Sequence, residues 1–260
     1  MRGTSQAYLL MGDDDQGYVV KFSNNPNHRR SLINELVASA FMAYLRISTP
    51  ETGIVLVTEE FLNQNPEVYL ELGKRRFAVM PGPHFGSCYP GDPNHARVYD
   101  FLPDSMLGGV VNASDFLGAL VIGKWMANSD ARQAIFIRVP PKQLHSPTPR
   151  FIVQMIDHGS AFDGAEWQFR DSPSAGPYFR PTVYPQANRI DLFQPWLDQV
   201  ARLPEQLLSH SIKQVPDEWL TGGDHSRLEG LMEGLLRRRD AVADLIGAYL
   251  ELIRPVPELE

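Results

Sequence analysis

The chain has 260 residues, enough for one large domain or for two small lobes that share a cleft. Its 24 Lys and Arg against 31 Asp and Glu give a net charge of −7, which argues against general nucleic-acid binding but allows a local basic cleft. The single cysteine, Cys88, excludes an internal disulfide, and no apolar run approaches the roughly 18–20 residues needed to span a bilayer. With no signal-peptide layout at the N-terminus, we expect a cytoplasmic protein without membrane contact.

Alternating apolar residues predict an N-terminal hairpin with strands at residues 7–11 and 18–22. Lys21 is the lone cation of the second strand, and such a lysine usually lies at an edge with its ammonium in water. A helix is expected over residues 31–45, where Glu35 falls within the apolar stripe. Glu35 is either a residue at the rim of the helix or an ion-pair partner of Lys21.

The remainder of the N-terminal part predicts strands at 52–58, 68–72 and 77–80 and a short helix at 59–64. Two Pro and two Gly in residues 81–86 predict an interruption there. We interpret it as a linker between an N-terminal β-rich lobe (residues 1–83) and a larger helical lobe (residues 84–260). An ordinary surface loop fits the composition equally well.

In the second lobe, Ser114 is the expected N-cap of a helix over 115–127. The pattern is helical from residue 193 onward and ends in one long helix over 226–253, within which Arg237, Arg238 and Arg239 are expected to be solvated. Histidines other than His158 are expected at the surface, and His158 lacks a second ligand at zinc-like spacing.

Two aspartates flank a pair of predicted strands at 134–139 and 151–156. If these strands pair antiparallel, Asp130 and Asp157 come to the same edge, which suggests a site for a divalent metal and phosphate. Asp130 is either a turn residue or a general base. Asp157, followed at once by His158 and Gly159, either caps a turn or binds Mg²⁺, and we favour the metal.

The order of these residues resembles that of protein kinases: Lys21 in a strand, Glu35 in the next helix, Asp130 before one strand and Asp157 after another. The Asp-His-Gly form at 157–159 and the helical tail look like the HipA-like kinase family, with a more distant similarity to phosphatidylinositol-kinase-like domains. The resemblance implies an α+β, two-lobed protein-kinase-like fold.

The resemblance also implies roles for individual residues. Lys21 would contact the phosphates of ATP with Glu35 as its partner, Asp130 would be the catalytic base, and Asp157 would bind Mg²⁺. Further candidates are the phosphate-covering residues Gly3, Thr4, Ser5 and Gln6 and the adenine-side hinge residues Met80 and Gly82. Independently of the resemblance, the loop around Asp130 offers two further catalytic candidates: Arg132 as a phosphate or carboxylate contact and Gln133 through its side-chain oxygen. Ile135 stands where the family pattern has a metal-binding Asn, so Gln133 or Asn128 would have to supply that ligand.

We therefore predict an ATP- and Mg²⁺-dependent phosphotransferase acting on a protein Ser/Thr hydroxyl or a small molecule. An alternative is a pseudokinase that binds nucleotide or serves as an interaction module, because Ile135 replaces a metal ligand. A metal-dependent hydrolase using Asp130, Asp157 and His158 is a third interpretation, but it leaves Lys21 and Glu35 unexplained.

Overall fold

The computed structural model describes residues 5–25, 29–140, 149–184 and 189–253, so the predicted phosphate-covering residues Gly3 and Thr4 lie outside the described part. A small lobe rich in β-strands is followed by a larger, mainly helical lobe. The predicted α+β, two-lobed architecture is therefore confirmed.

In residues 5–25 and 29–88, the first lobe has six strands and two helices in chain order. They are β1 (Tyr8–Met11), β2 (Gly17–Lys21), α1 (Arg29–Tyr44), β3 (Thr52–Val57), α2 (Glu59–Gln64), β4 (Tyr69–Leu72), β5 (Arg75–Ala78) and β6 (Gly82–Cys88). An antiparallel sheet forms in the order β1-β2-β6-β3, and β4 and β5 form a separate hairpin.

The two faces of the main sheet have different partners because successive side chains of a strand point to opposite sides. Val20 and Phe22 are buried with Val57, Val68 and other apolar residues on one side. Lys21 and its cross-strand neighbour Phe85 lie on the opposite side, which faces the second lobe. The strand pattern thus presents Lys21 to the cleft between the lobes.

The predicted linker at 81–86 is wrong, because these residues enter the central strand β6. Pro83 is tolerated because it pairs with Leu56 of β3 only, while β2 begins to pair with β6 at Phe85. Gly86 is required by close packing, since a Cβ there would lie 2.3 Å from a methyl group of Val55. The predicted boundary after residue 83 falls inside this strand.

The described residues of the second lobe form three strands and six α-helices. In chain order they are β7 (Val98–Tyr99), α3 (Asp104–Leu107), α4 (Asp115–Trp125), β8 (Gln133–Val139), β9 (Arg150–Ile156), α5 (Gln194–Ala201), α6 (Glu205–Lys213), α7 (Asp224–Arg237) and α8 (Val242–Ile253). The predicted antiparallel pairing of β8 with β9 is confirmed, with Gln133 opposite Ile156.

The predicted start of α4 at Asp115 is confirmed, although Ser114 at the N-cap position has a right-handed helical conformation and its hydroxyl makes no capping bond. One other predicted helix in this lobe is wrong. The last helix is two helices, with a break between Arg237 and Val242. Arg238 lies in that break, where it donates to the carbonyls of Lys124 and Trp125 and pairs with Asp171. Arg238 therefore binds the C-terminal end of α4 and is not solvated as predicted.

The polar contacts between the lobes include two made by residues 219 and 224 of the helical lobe. Arg30 of α1 forms an ion pair of 2.7 Å with Asp224 of α7. The indole Nε1 of Trp219 donates to the carbonyl of Pro83 at 2.9 Å, and both Trp219 and Asp224 are buried. Trp219 and Asp224 thus help to fix β6 and α1 relative to the second lobe.

His84 is buried, with 1% of its surface exposed, which contradicts the expected surface position. Its Nδ1 accepts from the backbone amide of Ser23 and its Nε2 donates to the carbonyl of Met80, each at 2.9 Å. Acceptance of a bond at Nδ1 requires the neutral ring, and burial lowers the pKa of His84 below its usual value.

Because the folded form resists protonation of His84 while the unfolded chain takes the proton near pH 6.5, acid should favour unfolding. The free energy of unfolding is expected to fall below that pH by up to about 1.4 kcal/mol per pH unit from this residue. Urea unfolding of wild type and His84→Gln, at about pH 7.5 and about pH 5.5, measures the effect. Gln can accept and donate without titrating, so an equal pH dependence in both proteins would contradict the assignment.

Candidate active site

The cleft between the lobes contains a cavity of about 260 Å³. Ala7 and Val19 line it from the first lobe, and Ile135 and Met155 line it from the second. One wall is the segment 87–90, and Lys21, Glu35 and Asp157 are also among the lining residues. Apolar walls with a charged group at one place are typical of a cofactor site.

The charged part of the cavity is a connected set of three side chains. Lys21 of β2 pairs with Glu35 of α1, and its Nζ also lies 3.1 Å from Oδ1 of Asp157. Glu35 is 3% exposed and accepts a second bond from the backbone amide of His158 at 3.0 Å. The predicted ion pair is therefore present, and Glu35 also holds the turn that carries Asp157.

The protonation states of this set follow from its charges. Burial alone would lower the pKa of Lys21, but the carboxylates of Glu35 and Asp157 outweigh burial and raise it. Burial alone would raise the pKa of Asp157, but the Lys21 ammonium outweighs burial and lowers it. The site thus combines a cation with an ionised carboxylate that is 41% exposed and can accept a further ligand.

Asp157 has an unusual backbone conformation, with a φ of 57° in the left-handed region. Few residues other than Gly adopt this region without cost, although Asp and Asn tolerate it better than most. The bond from His158 to Glu35 holds the turn in place. Strained residues of this kind concentrate at functional sites, where the surrounding structure fixes them.

Asn34, next to Glu35 on α1, organises the loop that follows Asp157. Its Nδ2 donates to the carbonyls of Gly159, Ala161 and Gly164, each at 2.9 Å, and its Oδ1 accepts from the indole of Trp167 at 2.7 Å. Sequence reasoning missed this residue. A buried Asn inside an apolar helix is unfavourable for the helix itself, and that was the available signal.

The loop containing Asp130 is joined to the same segment by backbone bonds. The amide of Ser129 donates to the carbonyl of Ser160 at 3.1 Å, and that of Phe162 donates to the carbonyl of Met126 at 2.8 Å. Asp130 and Asp157 therefore lie at the same end of the β8–β9 pair, as predicted from antiparallel strands. Asp130 is exposed and lines a neighbouring surface cavity of about 920 Å³, which is distinct from the cavity that Asp157 lines.

Arg132 lies inside the second lobe with 2% of its surface exposed, so it does not line the interlobe cavity. Its Nη1 donates to Nδ1 of His158 at 2.7 Å. Burial lowers the pKa of Arg132 to about 10, and burial together with this guanidinium holds the pKa of His158 well below its usual value. A neutral His158 therefore links the Asp130 loop to the Asp157 turn from within.

A family model described as HipA-like kinase matches residues 1–235 of the chain. The chain belongs to the HipA-like kinase family. No curated protein matches this HipA-like kinase. No helix in the described part of the chain has the length and hydropathy needed to span a bilayer.

Solved structures with the same fold include two kinds of kinase-fold protein. One is the Golgi casein kinase with Mn and ADP bound, at 13% identity and a TM-score of 0.52, covering 97% of this chain and 71% of that one. Another is the HipA–HipB toxin–antitoxin complex with operator DNA from Shewanella oneidensis MR-1, at 13% identity and a TM-score of 0.55, covering 98% and 67%. At this identity the likeness establishes the kinase fold alone.

The metal-ligand candidates of this HipA-like kinase differ in position. Asn128 is buried, and its Nδ2 donates to the carbonyl of Asp130 while its Oδ1 has no hydrogen-bond partner. Gln133 is exposed beside the Asp157 turn, and Ile135 forms part of the cavity lining. The described residues contain no group of three or more His, Cys, Asp and Glu able to hold a metal. Asp157 could therefore hold a metal ion only together with other ligands, and the phosphate oxygens of a bound nucleotide would supply them.

The hinge prediction needs correction. Met80 is 62% exposed, and neither it nor Gly82 lines the cavity. Residues 87–90 form the cavity wall instead, and they lie at the other end of β6. The Pro and Gly residues at 81–83 mark the place where this strand begins, whereas the wall lies where it ends. Of the predicted phosphate-covering residues, Ser5 lines the cavity, whereas the Gln6 side chain bonds the backbone of Glu71.

Proposed function

We propose that this HipA-like kinase is an ATP- and Mg²⁺-dependent phosphotransferase whose acceptor is a protein Ser/Thr hydroxyl or a small molecule. The observation that carries the proposal is the Lys21–Glu35–Asp157 set lining an apolar cavity between two kinase-type lobes. The Golgi casein kinase structure with Mn and ADP supports the use of a nucleotide and a divalent metal.

In this proposal, the base of the nucleotide lies between Val19 and Ile135, and its phosphates extend toward Lys21. The Lys21 ammonium binds phosphate oxygens, while Glu35 keeps it in place. Asp157 holds the metal ion, which when bound neutralises charge on the transferred phosphate. The raised pKa of Lys21 keeps it charged throughout the physiological pH range.

Asp130 acts as the base that orients the acceptor hydroxyl and takes its proton. Its carboxylate is exposed, and its Oδ1 accepts from the amide of Ala131 at 2.7 Å, which fixes its direction. The large cavity that Asp130 lines gives the acceptor a place to bind outside the nucleotide cavity. Arg132 supports this loop through His158 and is not assigned a phosphate contact.

A nucleotide-binding protein that does not transfer phosphate is the second candidate. Ile135, an apolar residue, lines the cavity at the position where the family pattern has a metal-binding Asn. A single metal held by Asp157, with Gln133 or Asn128 as a further ligand, is what the kinase proposal requires. If no residue replaces the metal-binding Asn of the family, the protein would still bind nucleotide but would transfer phosphate slowly.

Replacing Asp130 by Asn distinguishes these candidates. We expect Asp130→Asn to bind Mg²⁺·ADP like wild type but to autophosphorylate about 100-fold more slowly, because it cannot accept the proton. Calorimetry with Mg²⁺·ADP and incorporation of labelled phosphate from ATP measure the two effects. Asp198→Asn, at a half-buried helix position outside both cavities, is the control.

Each result has a separate meaning. Equal incorporation by wild type and Asp130→Asn would remove Asp130 from the role of base. Binding without incorporation by wild type would favour the non-catalytic candidate. Absence of nucleotide binding would contradict both.

A further inference from the structure

We propose that the interlobe cavity binds adenine and guanine nucleotides with similar affinity, so that the phosphate donor class is purine nucleoside triphosphates and not ATP alone. This inference rests on the proposed function. It follows from the hydrogen-bonding groups of one wall, the segment 87–90, which we call the base wall.

The backbone amides of the base wall are all used or missing. The amide of Cys88 donates to the carbonyl of Glu51 at 2.8 Å, and that of Tyr89 donates to the carbonyl of Gly17 at 2.7 Å. Pro90 has no N–H group. In an antiparallel pair of strands, every second pair of opposite residues exchanges backbone hydrogen bonds. Tyr89 is bonded to Gly17, so the next bonded pair is Ser87 with Val19, and the Ser87 amide is used there.

The base wall can still accept hydrogen bonds. Each backbone carbonyl has two lone pairs, so a carbonyl in a ladder can accept a second bond. The thiol of Cys88 is turned to the carbonyl of Tyr89 at 3.7 Å. The hydroxyls of Ser87 and Tyr89 can donate or accept by rotation, and they therefore serve either base equally.

The two purines differ in the edge that would meet this wall. Adenine presents an amino donor beside a ring-nitrogen acceptor, whereas guanine presents a carbonyl acceptor beside two donors. A backbone amide aimed at ring nitrogen N1 would favour adenine, whose N1 accepts a hydrogen bond, and would disfavour guanine, whose N1 carries a hydrogen. The base wall has no free amide of this kind, so its backbone does not discriminate between the two purines.

Affinity in this cavity comes from contacts that both purines share. Ala7 and Val19 on one side and Ile135 and Met155 on the other enclose a flat apolar group. Lys21 and Asp157 recognise the phosphates and metal, which are the same in both nucleotides. Burial of a two-ring base between these side chains depends on its shape and area.

The first test compares ADP and GDP, each with Mg²⁺, on the full chain by calorimetry. We expect dissociation constants within about fivefold of each other, since the difference between the bases is at most one net hydrogen bond. A preference for ADP of more than about 30-fold would overturn the inference and leave the proposed function standing. Binding of neither nucleotide would contradict the proposed function, and the inference with it.

The second test restores the missing donor. Pro90→Ala introduces an N–H group in the base wall and is expected to raise the preference for ADP over GDP about fivefold to tenfold. Pro81→Ala, the same change at the exposed start of β6, should leave the ratio unchanged. An unchanged ratio in a Pro90→Ala protein with wild-type melting temperature would overturn the inference. If that variant does not fold, the wild-type comparison alone decides.

Discussion

Asp157→Asn is expected to reduce phosphate transfer on the order of a thousandfold without loss of the fold, because the change removes the charge that holds the metal. Asn has nearly the shape of Asp and is among the few residues that tolerate a φ of 57°. The variant should therefore keep its backbone while nucleotide binding loses its dependence on Mg²⁺. Labelled-phosphate transfer and ADP binding over a range of Mg²⁺ concentrations measure both effects.

Asp15→Asn provides a matched control for this change. Asp15 also has a positive φ, of 61°, but it is exposed in the turn between β1 and β2. Its substitution should leave transfer and metal dependence at wild-type values. If Asp157→Asn behaves like Asp15→Asn, Asp157 does not bind the metal and the proposed mechanism fails.

Glu35→Ala is expected to lower the free energy of unfolding by about 3 kcal/mol, and also to abolish measurable transfer. The change leaves a buried amide of His158 without an acceptor and Lys21 without its buried partner. Lys21 would retain Asp157, which lies 3.1 Å away, and would then compete with the metal for that carboxylate. Urea unfolding at neutral pH measures the first effect, and phosphate incorporation measures the second.

Glu35→Gln separates packing from charge in this prediction. Gln fills nearly the same volume and can still accept from the His158 amide, so it should lose less stability than Ala. It should nevertheless transfer phosphate poorly, because Lys21 is no longer held by a charge. Unfolding free energies of Glu35→Ala and wild type that agree within about 0.5 kcal/mol would rule out the buried ion pair.

Features that depend on local patterns were predictable from the sequence. The alternation of apolar residues around Lys21 and the apolar helical stripe that contains Glu35 are local sequence patterns. Because each pattern contains one charged residue, the two residues were predicted to form an ion pair, which the structure contains. The positions of Asp130 and Asp157 followed from two strands joined by a short connection. Periodicity and strand pairing therefore predicted the main elements of the candidate site.

Features that depend on distant neighbours were not predictable. Pro83 sits within a strand because one of its sides has no partner, which only the sheet order decides. The break after α7 depends on Arg238 reaching α4, more than a hundred residues away in the chain. Arg132 and His84 have ordinary surroundings in the sequence, and their burial results from packing between elements.

Asn34 couples the position of α1 to the conformation of the loop after Asp157, so that one cannot change without the other. Its amide spans three carbonyls of that loop, and the Trp167 indole closes the contact from the other side. Rotation of the helix away from the cleft would leave these buried groups unsatisfied, each at a cost of about 1–3 kcal/mol. Lys21 on β2, the helix α1 and the Asp157 turn are thus held together by one set of contacts, and movement of α1 alone would break them.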